Sequence, residues 1–368
     1  KEAFSPTSVG SAPGVQFEQI PHITQMFSLD NAYNGTDFHK FYKKLLAMSS
    51  SFTDADMTLY GELKIDGVAI NLIYKNGILA NASSRGDGVV GENITAMAAM
   101  ISDIPKVLKD DDPPETVEIR GEVFVTKEVF NAYVQKCLAE NIPPPSTLRN
   151  YADGSLRNKD PLVTMTRKLS MIPYGLGYVS SFLGTSQSVI LAKFQEWGFK
   201  TCPHRKHLYN FEQCLNYYAY VYGMRDQLEY DIDGVVFKLN NFIDQAAVGY
   251  TSRTPKWAIA WKFPAEAAST PLIDIQLQVG RTGVVTPVAI LQPVYIGYVL
   301  VSRSTLHNFD EFDRLGLRIG DTAVVARAGD VISKIKKVVT SFPRGTNDPL
   351  KRPHVCPECN SALATRED

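Results

Sequence analysis

The stretch Glu62-Leu63-Lys64-Ile65-Asp66-Gly67 constrains this chain more than any other. It lies between Met57-Thr58-Leu59-Tyr60-Gly61 and Val68-Ala69-Ile70-Asn71-Leu72-Ile73-Tyr74, two runs rich in apolar and β-branched residues. Such runs read as strands, and Asp-Gly between them predicts a hairpin or meander. Lys64 then falls where the first strand ends. A lysine there is either a solvated edge charge or an amine held in a pocket. With an ordinary pKa of about 10.4 the ammonium is a poor nucleophile near neutrality. Desolvation or a cationic neighbour lowers that value and lets the amine attack. K-x-D-G recurs by chance, so the later strands have to decide.

Two of them carry lysines of the same kind. Glu229-Tyr230-Asp231-Ile232-Asp233-Gly234-Val235-Val236-Phe237-Lys238-Leu239 is a charged strand with Lys238 among apolar neighbours. Trp257-Ala258-Ile259-Ala260-Trp261-Lys262-Phe263-Pro264 sets Lys262 between two aromatics. Burying an ammonium is costly unless it is paired. Three strand lysines therefore point to a site for a polyanion such as a nucleotide phosphate.

The net charge of −1 does not announce nucleic-acid binding, so any such contact must come from a local patch. The 368 residues, 44% hydrophobic, suffice for two or three domains with cores. Five cysteines in no disulfide framework suit a reducing cytosol. No stretch approaches the roughly 20 apolar residues of a membrane span, and the N-terminus has no apolar signal core. The expectation is a cytoplasmic protein without a membrane partner.

In chain order, Ser5 to Pro21 reads as an extended lead-in and Met26 to Asn31 as a short apolar turn. Asp37 to Met48 has helical spacing, with Thr36 or Asp37 as N-cap. Gly77 to Ser84 is a strand, and Arg85-Gly86-Asp87-Gly88 begins a glycine-rich turn that reverses the chain or brings amides and an arginine to a phosphate or ribose. Ile94 to Ile104 reads as a helix capped by Asn93. In the strand Thr116 to Val125, Glu118, Arg120 and Glu122 share one face, and solvent is the simpler place for them. Glu122 follows a glycine, where another group often approaches closely. Lys127 to Glu140 is an amphipathic helix, and the prolines after it open a loop holding Arg149 and Arg157. Leu169 to Leu183 reads as a strand, with helices at Val189 to Trp197 and Phe211 to Tyr222.

Taken together, Glu62-Leu-Lys64-Ile-Asp66-Gly67, Arg85-Gly-Asp-Gly, Arg120-Gly-Glu122-Val, Asp233-Gly-Val-Val-Phe-Lys238 and Trp-Ala-Ile-Ala-Trp-Lys262-Phe-Pro resemble the nucleotidyltransferase motifs of NAD-dependent, bacterial-type DNA ligases. His22 and Met26-Phe-Ser28-Leu29-Asp-Asn are similar to the family segment that reaches the adenine. Gln278-Val-Gly-Arg281, Thr305-Leu-His307-Asn and Arg327-Ala-Gly-Asp330 resemble its OB-fold domain. Several short glycine-split strands between Ile275 and Ile335 suit a small barrel on their own account.

The resemblance implies an α+β chain. Residues 1–50 would be the lead-in and first helix of the adenylation domain, and 51–268 the nucleotidyltransferase domain of antiparallel sheets with helices. Residues 269–345 would be the OB-fold β-barrel and 346–368 a partial zinc knuckle. The implied reaction begins when Lys64 attacks the α-phosphorus of NAD and becomes lysyl-AMP. The AMP passes to the 5′-phosphate of nicked double-stranded DNA, and the nick is sealed in replication or repair.

The same resemblance assigns nucleotide contacts to Ser28, Leu29, Glu62, Arg85, Glu122, Lys238 and Lys262. Asp66, Arg149 and Asp233 support them, Arg281, Arg303 and Arg327 meet DNA, and Mg²⁺ accompanies the phosphates. Lys238 and Lys262 would also depress the Lys64 pKa by like-charge repulsion. Arg327, Lys334, Lys336, Lys337, Arg344, Lys351 and Arg352, against Asp330 and Asp348, form a basic run able to neutralise phosphates.

An ATP-dependent RNA ligase or capping-type nucleotidyltransferase shares the lysine chemistry, and a non-catalytic DNA-binding relative would keep only the barrel. The family usually has a helical domain ahead of these motifs that grips the nicotinamide mononucleotide half of NAD. Helix-hairpin-helix and BRCT regions usually follow them. The expectation is a core fragment, a split ligase whose N-terminal domain is a separate chain, or a degenerate relative. Such a chain would self-adenylate slowly or not at all from NAD yet seal a pre-adenylated nick. Cys356 and Cys359 are half of a four-ligand zinc site. Metal analysis should therefore find well under one zinc per chain, whereas chelator-resistant stoichiometric zinc would show that further ligands, such as His354, complete the site.

Overall fold

Residues on alternate positions of the lysine-bearing strands separate cleanly by chemistry, and the architecture follows from that separation. The computed structural model describes residues 17–48, 57–264, 266–296, 299–327, 334–339 and 352–364, with the backbone alone at 266, 299 and 327. Contacts divide the chain into two compact units, Lys1–Phe263 and Pro264–Asp368.

The strands of the first unit are β1 (Gln19–Pro21), β2 (Asp30–Ala32), β3 (Leu59–Ile65), β4 (Val68–Lys75), β5 (Ile78–Ser84), β6 (Val90–Glu92), β7 (Thr116–Phe124), β8 (Ser170–Val179), β9 (Lys206–Leu208), β10 (Ile232–Leu239) and β11 (Ala258–Lys262). Five form one sheet in the order β2-β11-β10-β3-β9, four form a second in the order β5-β4-β7-β8, and β1 pairs with β6. The hairpin expected at Asp66-Gly67 does not form. β3 pairs with β10 and β9, while β4 pairs with β5 and β7 in the other sheet. Asp66-Gly67 is thus the crossover between sheets. A β-carbon at Gly67 would collide with the Val123 carbonyl oxygen and with Glu122, so only glycine lets β4 start this close to β7.

In the five-stranded sheet Leu63, Val235, Phe237, Ile259 and Trp261 point to one face. The helix Gly35–Met48 covers that face with Phe38, Tyr42 and Leu45. Phe38 stacks on Trp261 at 4.7 Å between ring centroids. The helix Phe211–Met224 adds Cys214, Tyr217 and Val221. Burying each large side chain stabilises by about 1.5–3 kcal/mol, which ties both helices to this sheet.

The four-stranded sheet repeats the pattern. Ile70, Leu72, Tyr74, Val117, Ile119 and Val123 enter a separate core with Phe194 and Trp197. Both sheets are therefore left with a polar face, bearing Lys64, Glu62, Lys238 and Lys262 on one and Asn71, Glu118, Arg120 and Glu122 on the other. Solvent was the simpler place for Glu118 and Arg120, yet Glu118 is 0% exposed.

Local differences have local causes. Asn34, not Thr36 or Asp37, caps the first helix, since its Oδ1 accepts from Asp37 N at 2.9 Å. Helix after Ile94 lasts only over Thr95–Ala98, although Asn93 Oδ1 does accept from Thr95 N at 3.1 Å. Arg149 stands in the first turn of a helix, Leu148–Leu156, started by Thr147 rather than left in a loop. Of the lead-in, residues 5–16 lie outside the described residues.

The second unit is a closed barrel in the order β12-β13-β14-β16-β15. Its strands are β12 (Glu266–Val279), β13 (Val285–Ile296), β14 (Val299–Thr305), β15 (Thr322–Arg327) and β16 (Lys334–Val338). Leu272, Leu291, Val301, Leu306, Val325 and Ile335 fill it. Among the described residues no helix is long and apolar enough to cross a membrane.

Glu118 yields a stability prediction. Its carboxylate accepts from Ile23 N at 2.8 Å, Asn71 Nδ2 at 2.9 Å, Thr24 N at 3.0 Å, Thr24 Oγ1 at 2.8 Å and Tyr178 N at 2.9 Å. Burial raises its pKa, but these donors outweigh burial and hold it below the usual carboxylate value. Such a group adds stability above the usual carboxyl range that is lost as pH falls through its folded pKa. Glu118→Gln turns an N–H toward one set of donors, and a loss of about 2–4 kcal/mol is expected in urea denaturation at neutral pH. The acid limb of the stability profile should flatten as well.

Candidate active site

The polar faces of the two sheets line one cavity of about 580 Å³. Ser28, Leu29, Glu62, Lys64, Arg85, Glu122, Arg149, Lys238 and Lys262 all line it, so residues spread over 235 positions converge on a single space. Eight basic side chains on its wall stand against four acidic ones, which favours an anionic occupant.

The lysines are set by strand register. Gly234 of β10 lies opposite Lys64 of β3 on one side and Lys262 of β11 on the other. A side chain at Gly234 would collide with the Trp261 carbonyl oxygen. The β3–β10 register shifts between Ile232 and Gly234, and Asp233 is the extra residue. Such a bulge re-aims a side chain. Here Asp233 Oδ1 reaches Lys64 Nζ at 3.0 Å and Oδ2 reaches Lys262 Nζ at 3.5 Å.

Four residues along β10 from Gly234, Lys238 is committed differently. Its Nζ pairs with Glu62 Oε1 at 2.9 Å and donates to the Tyr174 carbonyl at 2.7 Å. Gln187 Nε2 donates to the same Glu62 oxygen at 2.9 Å and to the same carbonyl at 2.8 Å. This buried cluster fixes Tyr174, whose ring also lines the cavity. Asp66 Oδ1 lies 3.4 Å from Arg149 Nη1. Ser28 is held through its amide, which donates to the Arg253 carbonyl at 3.1 Å.

The expected depression of the Lys64 pKa does not occur. Burial pulls it down, but Asp233, Glu122 and Asp66 together exceed burial and hold the ammonium above the ordinary lysine value. Lys238 and Lys262 each already face a carboxylate, so their repulsion is muted. Glu122 shows the converse, with burial pushing its carboxyl up to about 7 against Lys64 and Arg149.

Sequence reading missed Tyr174, Gln187 and Arg120. Gln187 opens a helix, Gln187–Glu196, and Tyr174 lies inside an apolar strand, so neither position carried a local signal.

In the second unit Arg281 and Arg303 are exposed, and Arg303 Nη2 donates to Gln276 Oε1 at 3.2 Å. Lys334, Lys336 and Lys337 are exposed on β16. Arg352 belongs to the basic run only in sequence, because it pairs with Asp310 at 2.6 Å and Asp313 at 2.7 Å. The side chain of Arg327, with Arg344, Lys351, Asp330 and Asp348, lies outside the described residues. Cys356 is buried and Cys359 exposed at the turn of a small bridge, Val355 to Ala362. Among the described residues no group of three or more His, Cys, Asp or Glu could hold a metal ion. Two thiols do not fit a closed zinc site, and no chemistry is assigned to zinc.

An amine at the wall of a basic cleft between two sheets is suited to a nucleotide phosphate. Residues 14–266 match the NAD-dependent DNA ligase adenylation domain and residues 269–347 the NAD-dependent DNA ligase OB-fold domain. The chain belongs to the NAD-dependent DNA ligase family. It is 43% identical over 364 residues to a DNA ligase of Hahella chejuensis, covering 99% of this chain and 53% of that protein. A DNA ligase of Saccharophagus degradans is 43% identical over 365 residues, covering 99% and 54%. The chain thus spans about half the length of the curated relatives it matches.

The ion pair at Lys64 gives a measurable expectation. Asp233→Asn removes the largest charge that raises this ammonium, so the free-amine fraction should grow. Competitive acylation of the folded protein, read by mass spectrometry, should show Lys64 modified several-fold faster in the variant at mildly alkaline pH. An unchanged rate would mean that burial alone governs the amine.

Proposed function

We propose that this chain is the adenylating and sealing core of an NAD-dependent DNA ligase, with nicked double-stranded DNA and NAD as substrates. The convergence of Lys64, Lys262 and Asp233 at Gly234 carries the reading, because it sets a nucleophile and a phosphate-binding cation side by side. In the first step Lys64 Nζ forms a bond to the α-phosphorus of NAD. The phosphoanhydride bond breaks with its electron pair leaving on nicotinamide mononucleotide, and the two protons that the ammonium gives up pass to solvent. Developing charge on the phosphoryl oxygens would meet Lys262 and Arg85.

Glu62 Oε1 is engaged by Lys238 and Gln187, which leaves its other oxygen to accept from the adenine amino group. Tyr174 offers a ring for the base to stack on, Ser28 and Leu29 close the far wall, and Glu122 faces the ribose. Mg²⁺ fits the same region, since a desolvated carboxyl like Glu122 gains from a nearby cation. Glu122 would hold it against the phosphates, where it would neutralise charge. Arg149 and Asp66 form a pair that supports the wall beside Lys64. AMP then moves to the 5′-phosphate of the nick, and the 3′-hydroxyl displaces it.

The test is covalent labelling of the full chain with adenylate-labelled NAD or ATP, next to sealing of a pre-adenylated nick. Label from NAD, slow or absent in this chain alone, and none from ATP is expected, with the pre-adenylated nick sealed and no label on Lys64→Ala. Preference for ATP, or label retained by Lys64→Ala, would sink the assignment. The barrel gives a second expectation. Exposed Arg281, Arg303, Lys334, Lys336 and Lys337 would meet backbone phosphates without reading sequence. Affinity for nicked DNA should fall steeply with salt, and Arg281→Ala should reduce the log–log slope by about 1.

A further inference from the structure

A chain of hydrogen bonds runs from Glu118 to the backbone of Arg85, and each bond fixes the direction of the next. Glu118 accepts only, so Asn71 must turn its Nδ2 toward Oε1, at 2.9 Å. The opposite amide orientation would set Asn71 Oδ1 against a carboxylate. The same Nδ2 lies 3.2 Å from His22 Nδ1. Because Nδ2 is a donor, Nδ1 must accept, and the ring proton belongs on Nε2. That N–H donates to the Arg85 carbonyl at 3.0 Å.

We propose that His22 is a positioning residue for nucleotide binding, its Nε2–H tautomer selected by Glu118 through Asn71 so that Arg85 is presented to the cavity. The inference rests on the nucleotide reading of that cavity given above. The surrounding backbone supports it. His22 N donates to Val89 O at 2.9 Å and Met26 N to Gly88 O at 2.8 Å, so the segment that leads to Ser28 is joined to the Arg85 turn. Gly86 follows with φ +56°, and any β-carbon there would collide with Val90 O. The Arg85 carbonyl, which also accepts from Gly88 N at 3.0 Å, anchors the turn where the chain reverses.

Only the neutral ring satisfies both bonds, since an imidazolium would set N–H against N–H at Asn71. The charged groups facing the ring are Glu118, Arg120 and Asp87. Burial lowers its pKa most; the Arg85 carbonyl, Glu118 and Asp87 oppose that and Arg120 adds to it, leaving it below the ordinary histidine value. The relay is thus intact at neutral pH and fails on acidification.

The experiment is equilibrium titration of AMP into the full chain at about pH 7.5 and about pH 5.5, for the unaltered protein, His22→Ala and His22→Gln. A glutamine amide can offer an N–H near the Nε2 position and has no titrating ring. His22→Ala should weaken AMP roughly five- to tenfold at the higher pH, the scale of one hydrogen bond, and His22→Gln should recover most of that. On acidification the unaltered protein should lose several-fold more affinity than His22→Gln. Glu122 and the AMP phosphate titrate in both proteins alike, so the ratio between them is the readout. Equal acid losses overturn the inference, and so does undiminished affinity in His22→Ala. Failure of the unaltered chain to bind AMP overturns the nucleotide reading itself, and the inference with it.

Discussion

The Asp233 carboxylate between two ammonium groups is the interaction on which the rest of the site depends. Three strands must lie in one register for it to exist, with β10 bulged by one residue and carrying no side chain at Gly234. Without the bulge, alternation along β10 would turn Asp233 into the aromatic core beneath. Without the carboxylate, two lysines would face each other across a glycine in a half-buried cleft. Like charges so placed repel strongly enough to splay the strand ends or to release a proton. The pair of ions therefore settles both the shape of the sheet edge and the charge state of its amine.

Much of this was legible in the sequence because strand alternation is a strong signal. Lys64, Lys238 and Lys262 are flanked by apolar residues at odd spacings, and each does lie on the face opposite those neighbours. The sheet assignment of β3 and β4 was not legible. Asp-Gly is a turn signal whether the chain returns to its own sheet or crosses to another, and the choice is made by Val123 and Glu122, more than fifty residues on. The inward face of Glu118 and Arg120 was hidden for a similar reason, whereas the glycine before Glu122 and its motif marked that residue. Charges on one strand face read as solvent until donors from Ile23, Thr24, Asn71 and Tyr178, all distant in sequence, are brought around Glu118.

The same distance effect explains why a local charge argument failed at Lys64. Three lysines in one cleft suggest mutual repulsion, but pairing is decided by which carboxylates the fold delivers. Glu62 takes Lys238 together with Gln187, and Asp233 takes Lys64 together with Lys262. Arg352 illustrates the point in the barrel unit, where a member of a basic run is neutralised by two aspartates of one helix.

The proposed nucleophile, stored as a paired ammonium, looks unfavourable until its terms are compared. At neutral pH an ordinary lysine is already protonated in all but about one molecule in a few thousand. Each further tenfold loss of free amine costs about 1.4 kcal/mol. Against that, holding reacting atoms in line is worth up to about 7–11 kcal/mol. A long side chain left free in the cleft would sample many rotamers, most of them pointing away from a bound phosphate. Asp233 removes that freedom, and it places Lys262 beside Lys64, where a phosphoryl oxygen would lie within reach of one lysine as the other attacked. On the proposed reading, orientation can outweigh the loss of basicity, which is a physical reason for a resting amine to be paired rather than bare.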